Sequence, residues 1–307
     1  MSKRCDKCDE RPVIFIRYSG QHLCSDHFLE LIGKRVKKEV RSQGLMSRKG
    51  RVALAVSGGK DSLLLLKLMN EILGRVRDIE LTAITVDEGI TGYRQESIGY
   101  ARSVSGELGI DHRVVSFRED FGMTLDNMVK RTETGPCSVC GVLRRRALND
   151  EAKRIKAVSL ITGHNLDDMS QTVLMNVLSA DMKRLKRLGP HLEPIPGFIP
   201  RFMPLRTTPE TETHLASHIL GIPIHNTECP YANTAKRGDV RDILLQAEEK
   251  TPGTRHSLLR FHQQCSELIP GDDFETGSCS VCGESVPGGE NDICGTCRML
   301  DKIGVKK

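Results

Sequence analysis

The chain has 307 residues, 38% apolar and 28% charged, the make-up of a folded globular protein rather than a disordered one. No apolar run is long enough to cross a bilayer, and Met1-Ser2-Lys3-Arg4-Cys5 lacks the apolar stretch of a secretory signal, so a cytoplasmic protein with no membrane partner is expected. The net charge of +5 is too small to call for a nucleic-acid partner by itself, and eleven cysteines in a reducing compartment point to metals or catalysis rather than disulfides.

Residues 1–30 read as a small metal module. Cys5-x2-Cys8 and Cys24-x2-His27 have the spacing of a tetrahedral zinc site with three thiolates and one imidazole. Residues 31–50 read as a helical linker carrying the basic cluster Lys34-Arg35-Val36-Lys37-Lys38. The catalytic core is expected over 51–270. Short β-branched or apolar runs predict strands at Arg51–Ser57, Glu80–Asp87, His112–Phe117 and Val158–Gly163. Helical patterns alternate with them at Asp61–Leu73, Tyr93–Leu108, Gly141–Lys156 and Asp167–Leu178. That alternation predicts an α/β fold, a doubly wound parallel sheet covered on both faces.

Ser57-Gly58-Gly59-Lys60-Asp61-Ser62 joins the first strand to the first helix. Two glycines let the backbone approach an anion, and the new helix aims free N–H groups at it. The spacing is not that of a Walker A loop. It resembles the PP-loop of ATP pyrophosphatases, which grip the pyrophosphate of ATP. Asp87-Glu88-Gly89, Ser116 and Gly163-His164-Asn165-Leu166-Asp167-Asp168 occupy the other strand ends, where doubly wound sheets bind ligands. One of Asp167 and Asp168 is expected to cap a helix, and the two carboxylates facing a pyrophosphate loop would suit magnesium.

Cys137-x2-Cys140 follows Gly135-Pro136 and has no matching pair nearby; Cys229, in Glu228-Cys229-Pro230-Tyr231, is the nearest remaining candidate. Three thiolates without a fourth fit an iron–sulfur cluster with one open iron, and a catalytic thiol pair fits equally. The clusters Arg144-Arg145-Arg146 and Lys183-Arg184-Leu185-Lys186-Arg187 join the first in pointing to a polyphosphate partner. Beyond Pro190 dense prolines exclude helix until Thr208, an expected N-cap with Pro209 at N1 of a helix to Leu220. Helices are predicted at Arg237–Lys250 and Thr254–Leu268, with Cys265 a small buried apolar residue. Residues 271–307 hold Cys279-x2-Cys282 and Cys294-x2-Cys297, the spacing of a four-thiolate zinc ribbon.

Taken together, the PP-loop, Pro136-Cys137-Ser138-Val139-Cys140-Gly141, Thr162-Gly163-His164-Asn165-Leu166-Asp167-Asp168, Glu228-Cys229-Pro230-Tyr231 and both zinc modules resemble the tRNA 2-thiolation enzymes, the TtuA/NcsA/CTU branch of PP-loop ATPases. The resemblance implies ATP-dependent sulfur transfer to C2 of a tRNA uridine, and a [4Fe-4S] cluster on Cys137, Cys140 and Cys229. Met169 after Asp168, and Arg144-Arg145, are similar to the branch acting on wobble uridine 34 rather than T-loop 5-methyluridine 54. ATP and magnesium would then lie along Ala55, Val56, Ser57, Gly58, Gly59, Lys60, Asp61, Ser62, Val86, Asp87, Gly163 and Asp168. Asp61, Asp168 and Arg144 would act beside the three cysteines. Partners implied are tRNA, a sulfur donor (sulfide or a thiocarboxylated ubiquitin-like carrier) and a second copy in a homodimer. Persulfide-based thiolation without a cluster and a non-enzymatic zinc scaffold for RNA are the competing readings.

Overall fold

The computed structural model describes residues 4–192, 195–225, 227–232, 237–269, 276–287 and 292–305. A hairpin of β1 (Ile14–Ile16) and β2 (Gln21–Leu23) leads straight into α1 (Ser25–Ser42). Phe28, Ile32, Val36 and Val40 recur every fourth residue along α1 and bury one stripe in the main core. The segment expected as a helical linker is therefore a packed helix, continuous with the end of the cysteine module.

The central sheet comprises β3 (Gly50–Ala55), β4 (Ile79–Asp87), β5 (Asp111–Ser116), β6 (Ser159–Ile161) and β7 (Arg201–Phe202). Its order is β5-β4-β3-β6-β7 and every pairing is parallel. The four predicted strands are present, and β7 is an addition. Pro200 and Pro204 flank it, yet Pro200 needs only its carbonyl, which accepts from Leu160 N at 2.8 Å. An edge strand tolerates such prolines because its missing donors are not needed.

Successive side chains of a strand face opposite ways. Val52 and Leu54 thus enter a core shared with α1, α2 (Lys60–Leu73) and α3 (Arg94–Glu107). Ala53 joins Ile84 and Val86 in a second core, under α4 (Phe117–Phe121), α5 (Leu125–Met128) and α6 (Pro136–Arg154). After β6 come α7 (Leu166–Leu178), α8 (Met182–Lys186), α9 (Glu210–Ile219), α10 (Arg237–Lys250) and α11 (Thr254–Leu268). A hairpin of β8 (Thr276–Ser278) and β9 (Ser285–Pro287) and the helix α12 (Gly295–Ile303) close the chain, with Leu300 and Ile303 packed into the second core.

Several boundaries differ from expectation. The α6 helix starts at Pro136, not Gly141, because proline at N1 is preorganised for a helix. The N-cap of α7 is Asn165 rather than either aspartate; Asp168, at N3, completes a capping box with it. Pro209 itself, not Thr208, is the N-cap of α9. Cys265 is half-buried on α11 rather than fully buried.

Candidate functional site at the sheet switch point

The chain runs outward from β3 through β4 to β5, then returns to lay β6 on the other side of β3. The loops leaving β3 and β6 therefore sit side by side, where doubly wound sheets form their ligand crevice. Gly163 confirms the contact: a Cβ there would lie 3.3 Å from Ser62 Cα. Gly58 has φ +82°, and a Cβ on it would overlap the Ser97 carbonyl of α3. Only glycine passes both tests of handedness and space.

The loop is shaped by its own serines. Ser62 Oγ takes the Ser57 N–H at 3.1 Å and donates to Gly59 O at 2.8 Å, while the two serine hydroxyls lie 3.1 Å apart. The N-cap of α2, Gly59, offers no side chain to the first-turn N–H groups. They are left to bind an anion at the positive end of the helix. Lys60 and Asp61 are held from the other side. Lys60 Nζ pairs with Asp61 at 3.1 Å and Glu210 at 2.6 Å, and Asp61 also accepts from the Thr213 hydroxyl. These contacts anchor the loop to α9.

At the β6 end, the adjacent carboxylates diverge, so they do not jointly face the loop. Asp167 is buried, paired with Arg255 and accepting the Glu210 N–H at 2.7 Å, which ties α7 to α11 and α9. Asp168 meets Arg237 Nη1 at 3.0 Å. Burial pushes the Asp168 carboxyl upward, with Arg237 opposing.

The thiols Cys137 and Cys140 occupy the first turns of α6, one turn apart on one face. Cys137 Sγ lies 3.8 Å from the Tyr231 carbonyl, two residues from Cys229. Burial pushes the Cys140 thiol up to about 11; Arg144 opposes this, while Glu88 and the nearby Cys229 add to it. The cysteine group and the phosphate loop are joined by a buried pair that the sequence reading did not single out for a role. Arg94 donates to Ser57 O at 3.2 Å and to Val86 O at 2.5 Å, and its Nε is 2.6 Å from Glu88. The other oxygen of Glu88 lies 3.7 Å from Arg144. Glu88 belonged to a strand-end segment already visible in sequence; Arg94 had no such signal. Asp87, beside them, accepts the Gly89 N–H at 2.8 Å and terminates β4. Ala55 ends β3, and Val56 bonds Ile84 O at 2.8 Å.

The cleft is strongly cationic. The surrounding protein, then Arg201, Arg144, Arg237 and Arg145, holds the His164 imidazole below its ordinary range, although solvent still reaches the residue. Arg201 is itself drawn down to about 10 by burial and by Arg145. Crowded guanidinium groups of this kind favour a polyanion between them. The basic runs expected to meet a polyphosphate are partly spent inside the fold. Arg35 pairs with Glu212 at 2.6 Å, Arg146 with Asp150 at 2.5 Å, and Lys186 donates to Ile269 O at 2.6 Å.

Two four-ligand sets stand apart from this cleft. Ligand atoms of Cys5, Cys8, Cys24 and His27 all lie within 4.8 Å of one another, as do those of Cys279, Cys282, Cys294 and Cys297. A tetrahedron with metal–sulfur bonds of about 2.3 Å has edges of about 3.8 Å. Cys8–Cys24 at 3.7 Å and Cys282–Cys294 at 3.8 Å match that edge. Backbone N–H groups also donate to sulfur, Cys294 N to Cys279 at 3.2 Å and Cys297 N to Cys294 at 3.3 Å. Both sets fit a single tetrahedral ion. Among the described residues, Cys137, Cys140 and Cys229 do not form a third such set within the same 4.8 Å.

Comparison with known proteins agrees with this geometry. A PP-loop domain family matches residues 29–190, and the N-terminal LIM domain of 2-thiouridine synthetase TtuA matches residues 4–29. The tRNA 2-thiolation protein NcsA of Haloferax volcanii is 36% identical over 97% of this chain and 98% of its own length. Cytoplasmic tRNA 2-thiolation protein 1 of Dictyostelium discoideum is 34% identical over 98% of this chain and 84% of its own. Among solved structures, the U34-tRNA thiolase NcsA from Methanococcus maripaludis with its [4Fe-4S] cluster superposes with a TM-score of 0.87, at 34% identity, covering 99% of this chain and 97% of that one. The PP-loop, the switch-point cleft and the paired terminal cysteine sets thus place the chain in the tRNA 2-thiolation family of PP-loop enzymes, the TtuA/NcsA/CTU group.

Proposed function

We propose that this chain is an ATP-dependent tRNA sulfurtransferase that adenylates O2 of wobble uridine 34 and then replaces that oxygen with sulfur. One observation supports the reading: a chain of contacts runs from the phosphate loop at Ser57 through Arg94 and Glu88 to Arg144, whose charge is coupled to Cys140 and Cys137. The wobble position is supported by Met169 and Arg144-Arg145, and by the likeness to the Methanococcus maripaludis thiolase.

The C2 carbonyl of uracil is a poor electrophile and its oxygen a poor leaving group. Attack of O2 on the α-phosphate forms an O–P bond and expels pyrophosphate. The first-turn N–H groups of α2, with the hydroxyls of Ser57 and Ser62, take up the charge of that leaving group. Val86 and Asp87 would flank the adenosine. Magnesium on Asp168 would neutralise phosphate charge. Arg237, ion-paired to Asp168, and Arg144 add positive charge to the site. Sulfur bonding to C2 then releases the activated oxygen with AMP. A [4Fe-4S] cluster held by Cys137, Cys140 and Cys229 would supply an open iron site for a sulfide ligand. Zinc would fill both terminal sets. The target base must leave its stack to reach the cleft.

Anaerobic purification tests this directly. A brown protein with about four irons per chain, which makes 2-thiouridine at position 34 only with ATP, is the expected result. Cys137→Ala, Cys140→Ala and Cys229→Ala should each lose iron and thiolation while binding ATP normally. Thiolation by an iron-free preparation would overturn the cluster assignment, and thiolation at another position would overturn the wobble assignment.

A further inference from the structure

Outside the cleft, a cavity of about 600 Å³ opens where α4, the turn at Gly122 and α5 meet the turn at 129–131. Its lining is Arg118, Gly122, Met123, Thr124, Asn127, Lys130 and Arg131. Arg118, Lys130 and Arg131 are exposed, and among the described residues none forms an ion pair or donates a side-chain hydrogen bond. That sets them apart from Arg35, Arg94, Arg146 and Arg255, which are paired with carboxylates. Small-molecule pockets are mostly apolar. Here Met123 is the one long apolar side chain in the lining, beside three cations and the neutral donors Thr124 and Asn127.

The position is informative too. On α5 itself, Asp126 accepts from the Tyr231 hydroxyl at 2.7 Å and from Thr91 N at 2.9 Å, and its charge is also coupled to Lys130 of the lining. The Tyr231 carbonyl in turn meets Cys137. The short helix α5 therefore links the cavity lining, through Tyr231, to Cys137. Val129 packs in the same core as Leu300 and Ile303 of α12, so the turn bearing Lys130 and Arg131 is braced by the C-terminal module.

We propose that this cavity is a backbone-phosphate subsite for the RNA, gripping the strand next to the target nucleotide while its base occupies the cleft. The proposal rests on the tRNA reading above. Unpaired cations on a concave wall release counterions when they meet phosphates, so each contact steepens the salt dependence of binding.

The test is anisotropy of a labelled unmodified tRNA across a salt series, with Arg118→Ala, the pair Lys130→Ala and Arg131→Ala, and all three combined. The triple variant should bind about tenfold more weakly at low salt, with a log–log salt slope shallower by about two to three. ATP affinity, iron content and the melting curve should be unchanged. Arg102→Ala, on the exposed face of α3, serves as the charge control and should leave binding unaltered. Unchanged affinity and slope in the triple variant, beside a wild type that binds and thiolates, would overturn the subsite alone. An equal loss from Arg102→Ala would reduce it to a general charge effect and also overturn it. Failure of the wild type to bind any tRNA would remove both this proposal and the function it rests on.

Discussion

At the scale of single residues, the cleft depends on two features that tolerate no substitute. Gly58 is left-handed and pressed against Ser97 O. Gly58→Ala must move α3 or the loop, so ATP binding should be lost and the melting temperature should fall by several degrees, read by calorimetry and thermal melting. Gly99→Ala is the matched control. It lies within α3 with nothing within 4 Å of the added Cβ, and should stabilise the protein by about 0.5–1 kcal/mol. The second feature is the Glu88–Arg94 pair, with both side chains buried. Glu88→Gln leaves Arg94 charged and underpaired in the interior, a change that costs about 3–5 kcal/mol in comparable sites. Urea unfolding should show a loss of that order. Thiolation should fall further than ATP binding, because Arg144 loses its anchor while the loop keeps its serines. Equal loss of both activities would mean the pair only holds the fold.

At the scale of elements, legibility followed locality. The loop at 57–62 could be read because strand, glycines and helix lie within one short stretch. The two terminal cysteine sets were legible for the same reason. The link from Ser57 through Arg94 and Glu88 to Arg144 was not, since the strand order, rather than sequence distance, brings those groups together. The start of α6 was misplaced although Gly135-Pro136 announced it; the thiols were read as lying before a helix and instead sit on its first turns. The β7 strand was hidden by its prolines, and its flank carries a testable property. His191 bridges Arg201, with N–H to O distances of 2.9 and 2.8 Å, and burial followed by Arg201 holds its imidazole down at about 4. An unfolded histidine titrates near 6.5. Above that pH both states are neutral and stability is fully present. Below it the unfolded chain takes the proton first, so stability is lost as pH falls toward 4. His164, shifted the same way, adds to the loss. Denaturant midpoints measured between those limits should fall with pH, and His191→Gln should flatten the decline. An unchanged slope would show that His191 titrates normally in the fold.

At the scale of the whole molecule, both metal modules are built into the core rather than hung from it. At the N-terminal end Arg35, on α1, pairs with Glu212 of α9 and donates to the Tyr18 hydroxyl at 2.7 Å, and the Tyr18 ring packs at a tilt against His256 of α11, with centroids 4.5 Å apart. At the other end Glu284 pairs with Lys153 at 2.6 Å and Arg146 at 3.4 Å, both on α6, and Arg146 also approaches Cys282 Sγ at 3.7 Å. A metal in such a small module supplies much of that module's folding free energy, about 10 kcal/mol or more. Because α6 carries Cys137 and Cys140 at its start and the C-terminal module along its length, loss of that metal should be felt throughout this helix. Cys282→Ser with Cys297→Ser should remove one zinc per chain and raise hydrogen exchange in α12 and in α6. The helix α2, whose buried apolar residues all lie in the other core, should keep its protection. The N-terminal counterpart, Cys5→Ser with Cys8→Ser, should instead loosen α1 and α9. If exchange rises only within the modules themselves, the ion pairs across these boundaries transmit nothing, and each module is an independent unit resting on a self-sufficient core.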